Sequence, residues 1–238
     1  MPVAHYIDTP KIKFFIYEPF TWWPGCKINI LEIFGIYFRH FHLICESQNT
    51  HQFLSYFHSA CLEKEEYFLF VGRFIPDKGL QYLIPAFEKL TTGKKLVLVG
   101  GSPNPSEFEI NLKKTNDSKI IFAGFIYGDD TVTLMKKAYA YVQPSDIEGL
   151  SPVMLSVMGL GTPLICSDIK ENKYIAHEDA LLFKKSDTAS LLTALELSLS
   201  DRCGHLQLAA KAKTRILKEY SWETITDQYI ELFKKTAG

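Results

Sequence analysis

From Tyr67 onward, short runs of β-branched and large apolar residues alternate with longer segments whose apolar positions recur at helical spacing. The runs suit strands buried on both faces and the longer segments suit helices that cover them, which is the pattern of βα units around a parallel sheet. Six strands are predicted: Tyr67 to Gly72, Leu96 to Gly100, Lys119 to Ala123, Ala140 to Gln143, Pro163 to Cys166 and Ala180 to Phe183. Helices are expected at about 79 to 91, 106 to 115, 129 to 138, 152 to 160, 187 to 199, 205 to 219 and 222 to 235. The fold class implied is α/β, a Rossmann-like parallel sheet with helices on both faces.

Residues 1–62 have a different texture. They are rich in aromatic residues, and Trp22 to Gly25 read as a turn before an apolar stretch from Ile28 to Cys45. Glu32, Arg39 and His40 interrupt that stretch, which leaves it short of the roughly 20 uncharged residues a bilayer helix needs. Its polar side lacks a lysine and arginine stripe, so a helix packed on the main domain is a better reading than one lying on a membrane surface. The organisation expected is a short piece over 1–62, a Rossmann-like domain over 63–220 and a closing helix over 221–238.

Charge and composition narrow the function classes. A net charge of -1 argues against a generally basic nucleic-acid binder. The five cysteines are widely spaced and form no C-x-x-C pair, so neither a disulfide framework nor a zinc site is suggested. Met1 to Lys13 lack the apolar core and small-residue cleavage site of a secretory signal. The expectation is a cytoplasmic protein.

In an open α/β sheet, ligands bind beyond the carboxyl ends of the strands, where helix N-termini and loops converge. Those loops begin here at Gly72, Gly100, Gly124, Pro144 and Ser167. The first contains Arg73 and Lys78, a forked, always-charged donor set and a mobile point charge that together suit a diphosphate. The same two cations read equally well as ordinary members of a solvated loop. The loop from Gln143 to Pro152 places Glu148 and Gly149 just before an apolar helix. Gly149 allows close backbone approach, Pro152 fits a first helical turn, and the amides near 150 to 153 sit at the positive end of the helix dipole. A carboxylate beside a diphosphate is awkward unless it accepts hydrogen bonds from hydroxyls, so Glu148 reads as a sugar contact, with helix capping as the alternative.

Other clusters carry less. His40 and His42 are two residues apart and do not share a helix face, which disfavours a metal site. The pairs Lys113 and Lys114, Lys136 and Lys137, and Lys184 and Lys185 read as solvated surface. No G-x-S-x-G elbow occurs, and Gly100 with Gly101 falls short of a dinucleotide fingerprint.

Five stretches taken together resemble the C-terminal domain of family 4 glycosyltransferases of the two-domain GT-B fold. They are FLFVGRFIPDKGLQYLIPAFEKL, KLVLVGGSP, KIIFAGFIYGDD, AYVQPSDIEGLSPVMLSVMGLGTPLICSDIKEN and EYSWETITDQY, in the family's order over residues 67–235. The resemblance implies that Arg73 and Lys78 hold the donor diphosphate, with Glu148 on the donor sugar. It further implies that Gly149, Leu150, Ser151 and Val153 offer backbone amides to phosphate, and that Phe125 and Ile126 line the base pocket. Gly72, Gly100 and Gly101 close strand ends within the same donor site.

One departure stands out. The family usually places a second glutamate, which grips the ribose, where this chain has Ser156. A short neutral side chain there should weaken ribose binding by about 1–3 kcal/mol.

Fainter echoes lie in His5 to Pro10, Tyr17 to Pro19 and Ser47 to Asn49, with Asp8 where the family commonly has histidine. They suggest that 1–62 is the remnant of an acceptor-side domain. The function implied is a retaining glycosyltransferase that moves sugar from a nucleotide-sugar donor to a saccharide or lipid-linked acceptor in glycan synthesis. No cofactor or metal is expected to be required. Peripheral contact with the inner face of a membrane, and a separate polypeptide supplying the acceptor domain, are further expectations. The alternatives are an inactive or accessory nucleotide-binding protein, or the donor-binding subunit of a split enzyme.

Overall fold

A computed structural model of the chain describes residues 64–236. The expected piece over 1–62, with its histidines and its apolar stretch, lies outside them. The described chain begins with β1 (Tyr67–Gly72), α1 (Leu80–Lys89), β2 (Lys95–Gly100), α2 (Glu107–Leu112), β3 (Ile120–Gly124) and α3 (Gly128–Lys137). It continues through β4 (Ala140–Gln143), α4 (Pro152–Leu160), β5 (Leu164–Ser167), α5 (Lys170–Ala176), β6 (Leu181–Phe183), α6 (Thr188–Ser200), α7 (Arg202–Glu219) and α8 (Trp222–Thr236).

All six strands are parallel, in the order β3-β2-β1-β4-β5-β6. Side-chain alternation then divides the core in two. Phe68 and Phe70 of β1 point to one face, where they meet Leu83 and Phe87 of α1 and Leu191 and Leu195 of α6. Tyr67 and Leu69 point to the other, against Leu134 of α3, Met154 and Val157 of α4, Ile175 of α5 and Ile216 of α7. Burial on both sides is why the strands read as continuous apolar runs.

The expected strands and helices form, with boundaries shifted by a few residues. The exception is α5, which the sequence pattern does not predict. Its seven residues, KENKYIA, bury an asparagine, Asn172, on the face turned inward. An apolar-period search passes over such a turn.

Candidate functional site

The chain leaves β1 toward one edge of the sheet and reaches β4 on the other side, so a crevice opens between the carboxyl ends of these two neighbours. The loop from Gly72 to Gly79 forms one side and the loop from Pro144 to Ser151 the other. They touch directly. The Asp146 amide donates to the Asp77 carbonyl at 2.8 Å. Gly79 has φ +75, and a Cβ there would overlap the carbonyl of Pro144, so only glycine permits this approach. Gly100 pairs in register with Gly72 and has φ +121; a Cβ on it would overlap the Gly72 carbonyl.

The charges on the two loops are held differently. Arg73 is exposed and has no hydrogen bond or ion pair among the described residues. Lys78 lies across the crevice on Glu148, Nζ to Oε1 at 2.6 Å. The same Oε1 accepts from Gln143 Nε2 at 2.5 Å and from Ser145 Oγ at 2.6 Å. The Glu148 side chain is only 8% exposed, and three donors offset its burial. The structure therefore brings Lys78 and Glu148 together and leaves Arg73 exposed on the same loop as Lys78.

Behind Glu148 runs a buried polar chain. Tyr141 Oη donates to Gln143 Oε1 at 2.9 Å and lies 3.2 Å from the Val71 carbonyl. Burial pushes the Tyr141 hydroxyl well above its ordinary pKa, and the nearby Glu148 charge adds to this, so it remains a donor at neutral pH. Gln143 Nε2 also donates to Ser145 Oγ at 3.0 Å. Asp146, next in the loop, accepts from Tyr82 Oη at 3.0 Å and Ser186 Oγ at 2.7 Å. Ser167 at the end of β5 donates to the Ser145 carbonyl at 2.5 Å and accepts from Asn172 Nδ2 at 2.9 Å.

The remaining candidates take distinct positions. Ser151 caps α4, its Oγ accepting from the Met154 amide at 3.3 Å, with Pro152 at the first helical position. Among the described residues nothing accepts from the Val153 amide at that end, and Gly149 and Leu150 are exposed just before it. Gly101 is buried, and a Cβ on it would come 3.9 Å from the Phe125 ring. Phe125 is exposed and stacks on Tyr127 with a 6.0 Å centroid separation. Ile126 is buried in the core, and its carbonyl accepts from Thr131 Oγ1 at 2.7 Å. Ser156 is exposed on α4, and its Oγ donates back to the Pro152 carbonyl at 2.9 Å.

The sequence motifs assign no role to Tyr141, Gln143, Ser145, Ser167 or Asn172. One signal was available: β4 is apolar until it ends on a glutamine, an amide at a position where its neighbours are fully buried. Among the described residues, no three His, Cys, Asp or Glu side chains gather as a metal site, and no helix is long and apolar enough to cross a membrane.

Comparison with known proteins agrees with this fold. A family model described as glycosyl transferases group 1 matches residues 65–201. An uncharacterised glycosyltransferase of Methanocaldococcus jannaschii is 29% identical over 177 residues, covering 72% of this chain and 45% of that protein. The O-antigen chain mannosyltransferase B of Escherichia coli is 25% identical over 174 residues, covering 71% of this chain and 45% of its own length. The chain thus spans about half the length of the curated relatives it matches. Among solved structures, HepE of Anabaena in complex with UDP and glucose shares the fold, with a TM-score of 0.69 at 16% identity over 79% of this chain and 53% of that one.

Proposed function

This chain belongs to the glycosyl transferases group 1 family, and on that premise we propose that the crevice between β1 and β4 binds the diphosphate of a nucleotide-sugar donor for a retaining glycosyl transfer. The observation that carries the reading is that Lys78 rests on a carboxylate already held by two further donors, while Arg73, without a partner among the described residues, lies on the same loop and the amide end of α4 closes the facing loop. Three positive features suit a leaving diphosphate, whose negative charge grows as the glycosidic bond breaks. Glu148, placed beside them, suits the hydroxyls of the sugar.

Charge neutralisation by Arg73, Lys78 and backbone amides supports a reaction that needs no divalent ion. Phe125 offers an exposed ring for the base, and Ile126 would take part through its backbone. The acceptor is a saccharide or a lipid-linked saccharide, in keeping with an O-antigen mannosyltransferase among the relatives. A lipid-linked acceptor would place the reaction at the inner face of a membrane. The acceptor side is supplied from outside the described residues, by this polypeptide or by a separate one. A second reading, an accessory protein that binds nucleotide without transferring sugar, is favoured by Ser156, whose hydroxyl is turned back on its own helix.

Calorimetric titration with UDP, GDP, ADP and dTDP, repeated with chelator and with Arg73→Ala, tests the proposal. One nucleotide should bind, with or without chelator, and bind at least about tenfold more weakly to the variant. Absence of binding by all four would defeat the donor-site reading. Binding that is abolished by chelator would defeat the metal-free part alone.

A further inference from the structure

Three donors converge on one oxygen of Glu148, and their arrangement separates the work of the two ends of that carboxylate. A carboxylate only accepts hydrogen bonds, so the Gln143 amide must turn its nitrogen toward Glu148, which fixes its orientation. Nε2 donates to Glu148 Oε1 and to Ser145 Oγ, whose own proton also goes to Oε1. Gln143 Oε1 in turn accepts from Tyr141 Oη. Every proton in the relay runs toward Oε1, and none of the described hydrogen bonds reaches Oε2.

The relay is also independent of Lys78. Moving Lys78 Nζ off Glu148 would still leave Oε1 with two donors, both buried and both built on β4 and its loop. Gln143 itself is 3% exposed in a strand that is otherwise apolar, where a methionine of similar size would serve the core as well.

We infer that Gln143 is a positioning residue of this site: with Ser145 it holds Glu148 Oε1, so that Oε2 is presented to the sugar of the donor while Lys78 turns to the diphosphate. The inference rests on the donor-site reading above. Gln143 acts through Glu148 and touches no part of the donor, so its removal should affect sugar recognition and spare the diphosphate.

The test compares UDP with UDP-glucose and GDP with GDP-mannose by calorimetry on the full chain, for the wild type, Gln143→Met and Tyr141→Phe. In the wild type, the sugar nucleotide should bind more tightly than its diphosphate. Gln143→Met should reduce that advantage about tenfold while the diphosphate affinity stays within about twofold. Tyr141→Phe, which leaves Gln143 in place without its orienting donor, should give an intermediate loss. Equal weakening of both ligands, no change in either, or a wild type without any preference for the sugar nucleotide would overturn the inference and leave the diphosphate site standing. Failure of the wild type to bind any of these four ligands, and ADP and dTDP as well, would overturn the donor-site reading itself. Thermal unfolding checks that Gln143→Met folds; if it does not, Tyr141→Phe carries the comparison.

Discussion

The two loops that face each other across the β1–β4 crevice are built on opposite principles. The loop after β1 holds its arginine in the open, with no partner among the described residues, whereas the loop after β4 buries its carboxylate among three donors. The difference follows from desolvation. An exposed guanidinium stays hydrated until a ligand replaces its water, but a carboxylate that must be aimed has to be buried, and a buried carboxylate needs donors of its own. One loop therefore waits for its counter-charge and the other is organised before any ligand arrives. Lys78 links them.

The contact between the loops should be the most sensitive point. Gly79→Ala would have to strain a left-handed residue and push the Pro144 carbonyl aside, so we expect a loss of about 3 kcal/mol or more in urea unfolding. A loss below about 1 kcal/mol would mean the two loops move apart freely.

A control at the opposite end of the sheet separates stability from binding. His205 is buried on α7 with Nε2 3.1 Å from the Leu164 carbonyl, and burial lowers its pKa to about 4. The unfolded chain, with an ordinary histidine, takes up a proton first as pH falls. Stability should be full above about pH 6.5 and fall by up to about 3 kcal/mol as pH drops toward 4. His205→Leu should flatten that part of the pH profile of urea unfolding; an unchanged slope would assign it to other groups.

The open loop is next. Arg73→Lys keeps the charge and loses the fork, and should weaken diphosphate binding by about 1–2 kcal/mol in calorimetry without altering the thermal midpoint. Equal affinity would mean that Arg73 acts only as a point charge. The smallest expected effect is a gain. Ser156 is exposed on α4, so Ser156→Glu should tighten nucleotide binding by about 1 kcal/mol by offering a carboxylate to the ribose hydroxyls, read as roughly a fivefold lower Kd. No gain with a nucleoside diphosphate would place the ribose elsewhere.

Much of this architecture is legible in the sequence. The strands buried on both faces announce themselves as apolar runs, and Arg73, Lys78 and Glu148 stand out as charges at strand ends. The helix α5 is not legible, because its seven residues are too few to show a period and one of the three they bury is Asn172, which bonds Ser167. Nor is the role of Ser151, whose hydroxyl caps α4. The relay through Tyr141 and Gln143 was hidden for a related reason: alternate residues of one short strand reveal a shared direction, but not what stands at the end of it.

The sequence by itself determined which segments form the strands of a parallel sheet and which charges lie at their carboxyl ends, because periodicity and strand ends are local properties of the chain. Only the tertiary structure decided that Lys78 rests on Glu148, that one oxygen of that carboxylate takes three donors, and that Arg73 has no partner among the described residues. Lys78 and Glu148 are 70 residues apart, and they meet because the strand order sets β4 beside β1 and glycine at position 79 lets the two loops close. Contacts of that kind depend on packing between distant segments, which no local pattern encodes.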